Sequence, residues 1–151
     1  MTTHVLAGLG TYADVYSPPI TESTQEYNIS SYVVFTPAIL AAVPPLVLLL
    51  SASLSGSSVE SCTGPITNPQ STGTLTWSDG TTSSISLVSL TGERVEGHPI
   101  CHSTWHVTSG HFTGGTVNTL AVALASNLTA CLTGGSISTA SGAVVFIVTM
   151  P

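Results

Sequence analysis

Four histidines, His98, His102, His106 and His111, crowd one short stretch together with Cys101, and these are the residue types that hold transition metals. On a helix the spacing of four would stack His98, His102 and His106 on one face, ready to share one ion. The neighbours Pro99, Ile100, Thr104, Val107 and Thr108 favour extended chain instead. In a strand, residues four apart share a face but stand about 13 Å apart, too far for one zinc ion with ligands at about 2 Å. The metal reading therefore reduces to His102 and His106, each needing partners from an adjoining strand. The alternation places His102, Thr104 and His106 on one face and Cys101, Trp105 and Val107 on the other. The competing reading is an ordinary polar strand face.

Other chemistry is thinner. Glu93, Glu96 and His98 could be written as an acid and base pair, but they share a polar turn with Arg94 and nothing in the pattern buries them. Ser109 lacks the Gly-x-Ser-x-Gly setting of a hydrolase nucleophile. GLGTYAD near Gly8 is too short to stand for a nucleotide loop, and no other cofactor motif occurs. Trp77 and Trp105 lie on apolar strand faces, which favours core packing over a carbohydrate platform. Asn28-Ile29-Ser30 and Asn127-Leu128-Thr129 match the glycosylation acceptor, a pattern frequent by chance in a Ser/Thr-rich chain. No catalytic residue is assigned.

The elements that would position these groups are strands. Leu75 and Trp77 alternate with Thr74 and Thr76, and after Asp79-Gly80 the alternation resumes at Ile85 and Leu87, which reads as a hairpin with both turn residues at positive φ. A face switch between Leu87 and Val88 indicates a bulge. From Val59 onward turn formers recur every 8 to 12 residues, the spacing expected of a sandwich or barrel. A strand is expected from Ile100 to Val107 and another from Thr116 to Leu124. Ala143 to Val148 is continuously apolar, which predicts a central strand covered on both faces. The fold class is all-β, an antiparallel β-sandwich or barrel with hairpin connections.

The chain divides into three parts on this reading. Residues 1–26 hold no sustained period and read as an extended or weakly ordered leader. Residues 27–54 form an apolar segment: Tyr27 to Phe35 suggests a strand, and 36–54 reads as strands broken at Pro44-Pro45, as a displaced export signal, or as a membrane segment. Residues 55–151 form the all-β domain.

Composition narrows the partners. Charged residues make up 5% of the chain, Lys is absent, and Arg94 is the only fixed cation, for a net charge of −6. Phosphate neutralisation needs Lys and Arg, so nucleic acid is excluded as a partner, and anionic membrane surfaces are disfavoured. Sheet edges lack lysine gatekeepers, which allows self-association through those edges; the sequence identifies no particular protein or cell-wall partner, and a membrane is a partner only if 36–54 is a span. The three cysteines allow one disulfide and one free thiol. Connectivity is not fixed by sequence; Cys62 with Cys131 is favoured because both lie in turn-rich stretches, and Cys101 reads as a small buried apolar residue.

Taken in order, Cys62-Thr63-Gly64, GTLTWSDGTTSSIS, Val107-Thr108-Ser109-Gly110, Phe112-Thr113-Gly114, Leu128 to Thr133 and Ser141-Gly142-Ala143 resemble a group of small secreted actinobacterial all-β proteins of unassigned function, over about residues 61–151. The resemblance implies export, a Cys62–Cys131 bridge and a compact antiparallel domain, and it transfers no active site. The N-terminus departs from the group by lacking a normal signal sequence. The functional expectation is a non-catalytic secreted or cell-surface structural or interaction domain. Its alternatives are an extracellular metal-binding protein or enzyme using the 98–111 strand, and a self-assembling surface or filament subunit.

Overall fold

Two-residue alternation governs almost every ordered segment of the chain, and its product is a sheet rolled into a closed barrel. The structure is a computed structural model that describes residues 4–36, 47–62, 66–95, 98–123 and 134–150. Eight antiparallel strands follow in chain order: β1 (His4–Ile20), β2 (Gln25–Thr36), β3 (Leu49–Glu60), β4 (Thr67–Trp77), β5 (Thr82–Val95), β6 (His98–Gly110), β7 (Thr116–Ala123) and β8 (Ile137–Met150). Each pairs with its sequence neighbour, and β8 closes on β1 through a register running from His4 with Met150 to Val15 with Thr139. The fold class read from sequence thus resolves to a barrel.

Strands from all three parts of the chain join one barrel. Residues 4–20 form β1, which hydrogen-bonds to β2 on one side and to β8 on the other. β2 and β3 supply two further staves from the 27–54 segment, while 37–46, including Pro44-Pro45, lies outside the described residues. No helix among the described residues is long and apolar enough to cross a membrane.

One half of the interior is a packed plug. Trp77, Leu75, Val107, Val117 and Val148, with Phe35 set edge-on to Phe146 at 5.0 Å, fill the barrel at the end that carries the β4–β5 and β6–β7 turns. Trp77 is fully buried, and its Nε1–H donates to Ser83 Oγ at 2.8 Å, so the indole carries no unsatisfied donor into the core. Ser83 in turn donates to the His111 carbonyl at 2.6 Å, tying the two turns together. Phe112, held at φ 63° in the left-handed region, packs its ring 5.0 Å from Trp77. That packing offsets the roughly 1 kcal/mol or more that such a backbone costs.

The hairpin at Asp79-Gly80 forms with a different turn from the one its sequence suggests. Gly80 N–H donates to the Trp77 carbonyl at 3.0 Å and Trp77 N–H to the Thr81 carbonyl at 2.9 Å, so three residues form the loop. Only Gly80, at φ 84°, takes positive φ; Asp79 instead accepts from Thr81 N–H at 3.0 Å through Oδ1. This is a type I turn followed by a glycine bulge. The expected bulge near Val88 is present as a register shift between Leu87 and Ser89. In β8 only alternate residues are covered: Val144, Phe146 and Val148 face the core, while Ile147 is 40% exposed, so this strand is covered on one face alone. A closed barrel has one inside, and a continuous apolar run must then place every second side chain in solvent.

Candidate functional site

Beyond the plug, toward the end carrying the β1–β2 turn, the interior changes character. In β1 the inward positions are Gly8, Gly10, Tyr12, Asp14 and Tyr16, and the outward ones include Leu9, Ala13 and Val15, an inversion of the usual polar-out rule. The glycines are required by close packing: a Cβ at Gly10 would lie 2.3 Å from the Val34 carbonyl oxygen. Past them the tyrosines and the carboxyl project into a cavity of about 520 Å³. Eight-stranded barrels have an interior just wide enough to be filled by side chains or to hold one small ligand, and this one does each in turn along its axis.

Apolar groups form most of the wall: Ile29, Leu54, Leu87, Ala121, Val144 and Phe146 come from five different strands, and Trp105 borders the plug. Into this wall are set two carboxyl groups. Asp14 accepts from the Ser31 hydroxyl through Oδ1 and from the Tyr16 hydroxyl through Oδ2 at 3.3 Å. Glu60 accepts from the Ser58 hydroxyl at 2.5 Å and is only 9% exposed. Burial raises the Asp14 carboxyl to about 6; its hydroxyl donors pull the other way, and the negative charge of Glu60 adds to the rise. Burial likewise raises Glu60 against the pull of Ser58. The Tyr12 and Tyr16 phenols are pushed above their ordinary range by burial first and by Asp14 second. Cys101, a free thiol on the same wall, is pushed up to about 11 by burial and the two carboxylates. Among the described lining residues there is no Lys, Arg or His.

The cavity reaches the surface through a seam. β4 and β5 pair only from Thr72 with Ser86 to Thr76 with Thr82, although both strands continue toward the cavity end. Two local causes part them. Pro69 brings no N–H to the β4 edge, and the Leu87–Ser89 bulge re-aims β5. Exposed Gln70 and Gly92 both line the cavity from opposite sides of this gap. Ile66 reaches across it, its Cδ1 3.2 Å from where a Cβ on Gly92 would stand.

The residues singled out by sequence fall elsewhere. His102 and His106 are exposed on the outer face of β6 with Thr104 between them, facing away from the cavity, while Cys101, Trp105 and Val107 turn inward as the alternation requires. No group of three or more His, Cys, Asp or Glu among the described residues is arranged to hold a metal. His111 instead joins Asp79 at 2.9 Å, a bond between two turns that, with two hydrogen bonds from Thr81, keeps the exposed Asp79 carboxyl near 2; the Thr81 bonds are the larger cause. Cys62 is buried beside Ile20 and Tyr27, and its expected partner Cys131 lies outside the described residues, as do Glu96 and Asn127. Asp14, Glu60, Tyr12 and Tyr16 were not candidates from sequence. Their signal was present as the i, i+2, i+4 spacing of Tyr12, Asp14 and Tyr16, hidden because apolar and polar faces are exchanged.

The outer surface is also two-sided. Across β7, β8, β1 and β2, cross-strand rows such as Leu120–Val145–Leu9 and Val122–Ala143–Thr11–Val34 present apolar side chains, with Leu9, Tyr32 and Val34 more than half exposed. Across β3 to β6 the outward residues are largely Ser and Thr, including Ser53, Ser55, Thr72, Thr74, Ser84 and Ser86. Comparison of the chain with protein-family models, with curated proteins and with solved structures finds no match.

Proposed function

We propose that this chain is a non-catalytic binding domain that encloses one small, largely apolar molecule inside its barrel. The observation that carries the reading is the cavity of about 520 Å³ beneath the β4–β5 seam, within the size range of small-molecule sites and walled mainly by apolar side chains with a few polar groups. Export to the extracellular space or the cell surface suits the hydroxyl-rich exterior, and a Cys62–Cys131 bridge would tie the β3–β4 connection to the β7–β8 connection. Cys62 is buried and is not among the free thiols, which supports that pairing.

Titration with the neutral dye Nile red tests the reading. Saturable one-to-one binding with a fluorescence rise is expected in the wild type, and Ala121→Phe, which fills the cavity from β7, should abolish it while leaving the circular dichroism spectrum unchanged. Binding that survives Ala121→Phe undiminished would refute it.

A second reading, self-association, is favoured by the apolar outer face of β7, β8, β1 and β2. The apolar rows lie on strands paired on both sides, away from the β4–β5 seam, so the contact would be face to face rather than edge to edge. The occupant is a second copy: the rows centred on Leu9 and Val34 carry no ionisable side chain, so two chains of net charge −6 can meet there without opposing carboxylates. Sedimentation velocity should give a dimer that Val34→Lys dissociates; a monomer at high concentration ends this reading.

A further inference from the structure

We infer that the molecule held in the cavity carries a protonated amine or similar cation, seated between Asp14 and Glu60; this deepens the cavity reading and rests on it. The cavity presents two carboxyl groups from two strands, β1 and β3, into an interior otherwise walled by hydrocarbon and hydroxyl groups. The other polar side chains on the described wall are neutral donors or acceptors, among them Tyr12, Tyr16, Ser31, Ser58, Gln70 and Cys101. No basic side chain among the described lining residues supplies a counter-charge. A buried carboxylate without a cation is expensive, and a pair of them more so, because each disfavours ionisation of the other. Packing alone does not call for either residue, since Ser or Thr would fill such positions at no electrostatic cost.

A ligand cation removes that cost. Its N–H groups can donate to carboxylate oxygens in charge-assisted hydrogen bonds, and its apolar body can lie against Ile29, Leu54, Val144 and Phe146. The same arrangement rejects anions. A fatty carboxylate would bring a third negative charge into a site of low polarity, with nothing on the described wall to balance it. With its carboxyl at about 6, Asp14 is ionised at neutral pH and loses its charge in mildly acidic solution.

Three probes of one shape separate the possibilities: octylamine, 1-octanol and octanoate, titrated at pH 7.5 with calorimetry and tryptophan fluorescence as readouts. Octylamine is expected to bind at least tenfold tighter than 1-octanol, and octanoate at least tenfold weaker. In the Asp14→Asn, Glu60→Gln double variant the amine should fall to the affinity of the alcohol, with alcohol binding unchanged. Equal wild-type affinities for amine and alcohol, or tighter octanoate, would overturn the cation inference and leave the cavity reading intact. Failure of all three probes, with Nile red also unbound, would overturn both. The wild-type comparison needs no variant, so it decides even if the double variant folds poorly.

Discussion

Replacing Asp14 with Asn should stabilise the free protein at neutral pH, against the usual expectation for a buried, hydrogen-bonded side chain. The carboxyl titrates at 3.8 in the unfolded reference and at about 6 in the barrel, raised chiefly by burial. The folded state therefore binds more protons than the unfolded state between those values, and the stability of the wild type falls as pH rises from about 4 to about 6, then levels off. At 1.36 kcal/mol per pH unit, the rise corresponds to about 3 kcal/mol at pH 7.5. Asn keeps an acceptor for the Ser31 hydroxyl and places an amide near the Tyr16 hydroxyl, so part of the local bonding survives. A lost or weakened hydrogen bond takes back about 1 kcal/mol. The net expectation is a gain of about 2 kcal/mol at pH 7.5 and little or none at pH 3.5. Glu60 is raised in the same direction and remains in both proteins, so the difference between the two pH profiles reports Asp14 together with its repulsion from Glu60. Urea unfolding at 25 °C, followed by far-ultraviolet circular dichroism, measures both. A variant less stable than wild type at pH 7.5, or two parallel profiles from pH 4 to 7, would refute the burial argument.

Three further outcomes follow from the geometry. Gly56→Ala would place a Cβ 1.9 Å from the Gln70 carbonyl oxygen, so β3 and β4 must separate; a loss of roughly 1–3 kcal/mol in urea unfolding is expected, and an unchanged midpoint would contradict the close approach. Trp77→Phe removes the donor to Ser83 Oγ and part of the plug, and should cost about 2–4 kcal/mol by the same assay; a loss below 1 kcal/mol would count against the plug as the main core. Cys101, with its thiol at about 11, should be alkylated by iodoacetamide at pH 8 at least tenfold more slowly than a free cysteine, and at the ordinary rate in urea, as intact-mass spectrometry would record. Rapid labelling of the folded protein would place the thiol outside the cavity wall.

Much of the barrel was legible because its strands announce themselves by local rules. The Leu75, Trp77, Ile85 and Leu87 alternation, the Asp79-Gly80 turn and the Leu87–Val88 bulge each depend on neighbours in sequence. The two faces of β6 followed from the same period. Closure was not legible, because whether a sheet rolls into a barrel depends on strand tilt and on the pairing of β1 with β8, residues far apart in the chain. β1 escaped notice for a more specific reason. Its glycines serve interstrand closeness and its Tyr and Asp serve the cavity, so the expected apolar-inside pattern is reversed and the stretch resembles a leader. Glu60 was equally hidden, since one acid after a Ser-rich run has no distinguishing neighbours. The histidines drew attention by residue type and spacing, and strand geometry sends His102 and His106 to solvent.

On the proposed function the barrel interior, rather than its apolar exterior, receives the ligand. Intermolecular nuclear Overhauser effects from bound octylamine to isotope-labelled protein test that directly. The predicted contacts are to Ile29, Leu54, Ala121 and Val144, which line the cavity. Contacts confined to Leu9, Val34 and Leu120 on the outer face would contradict it.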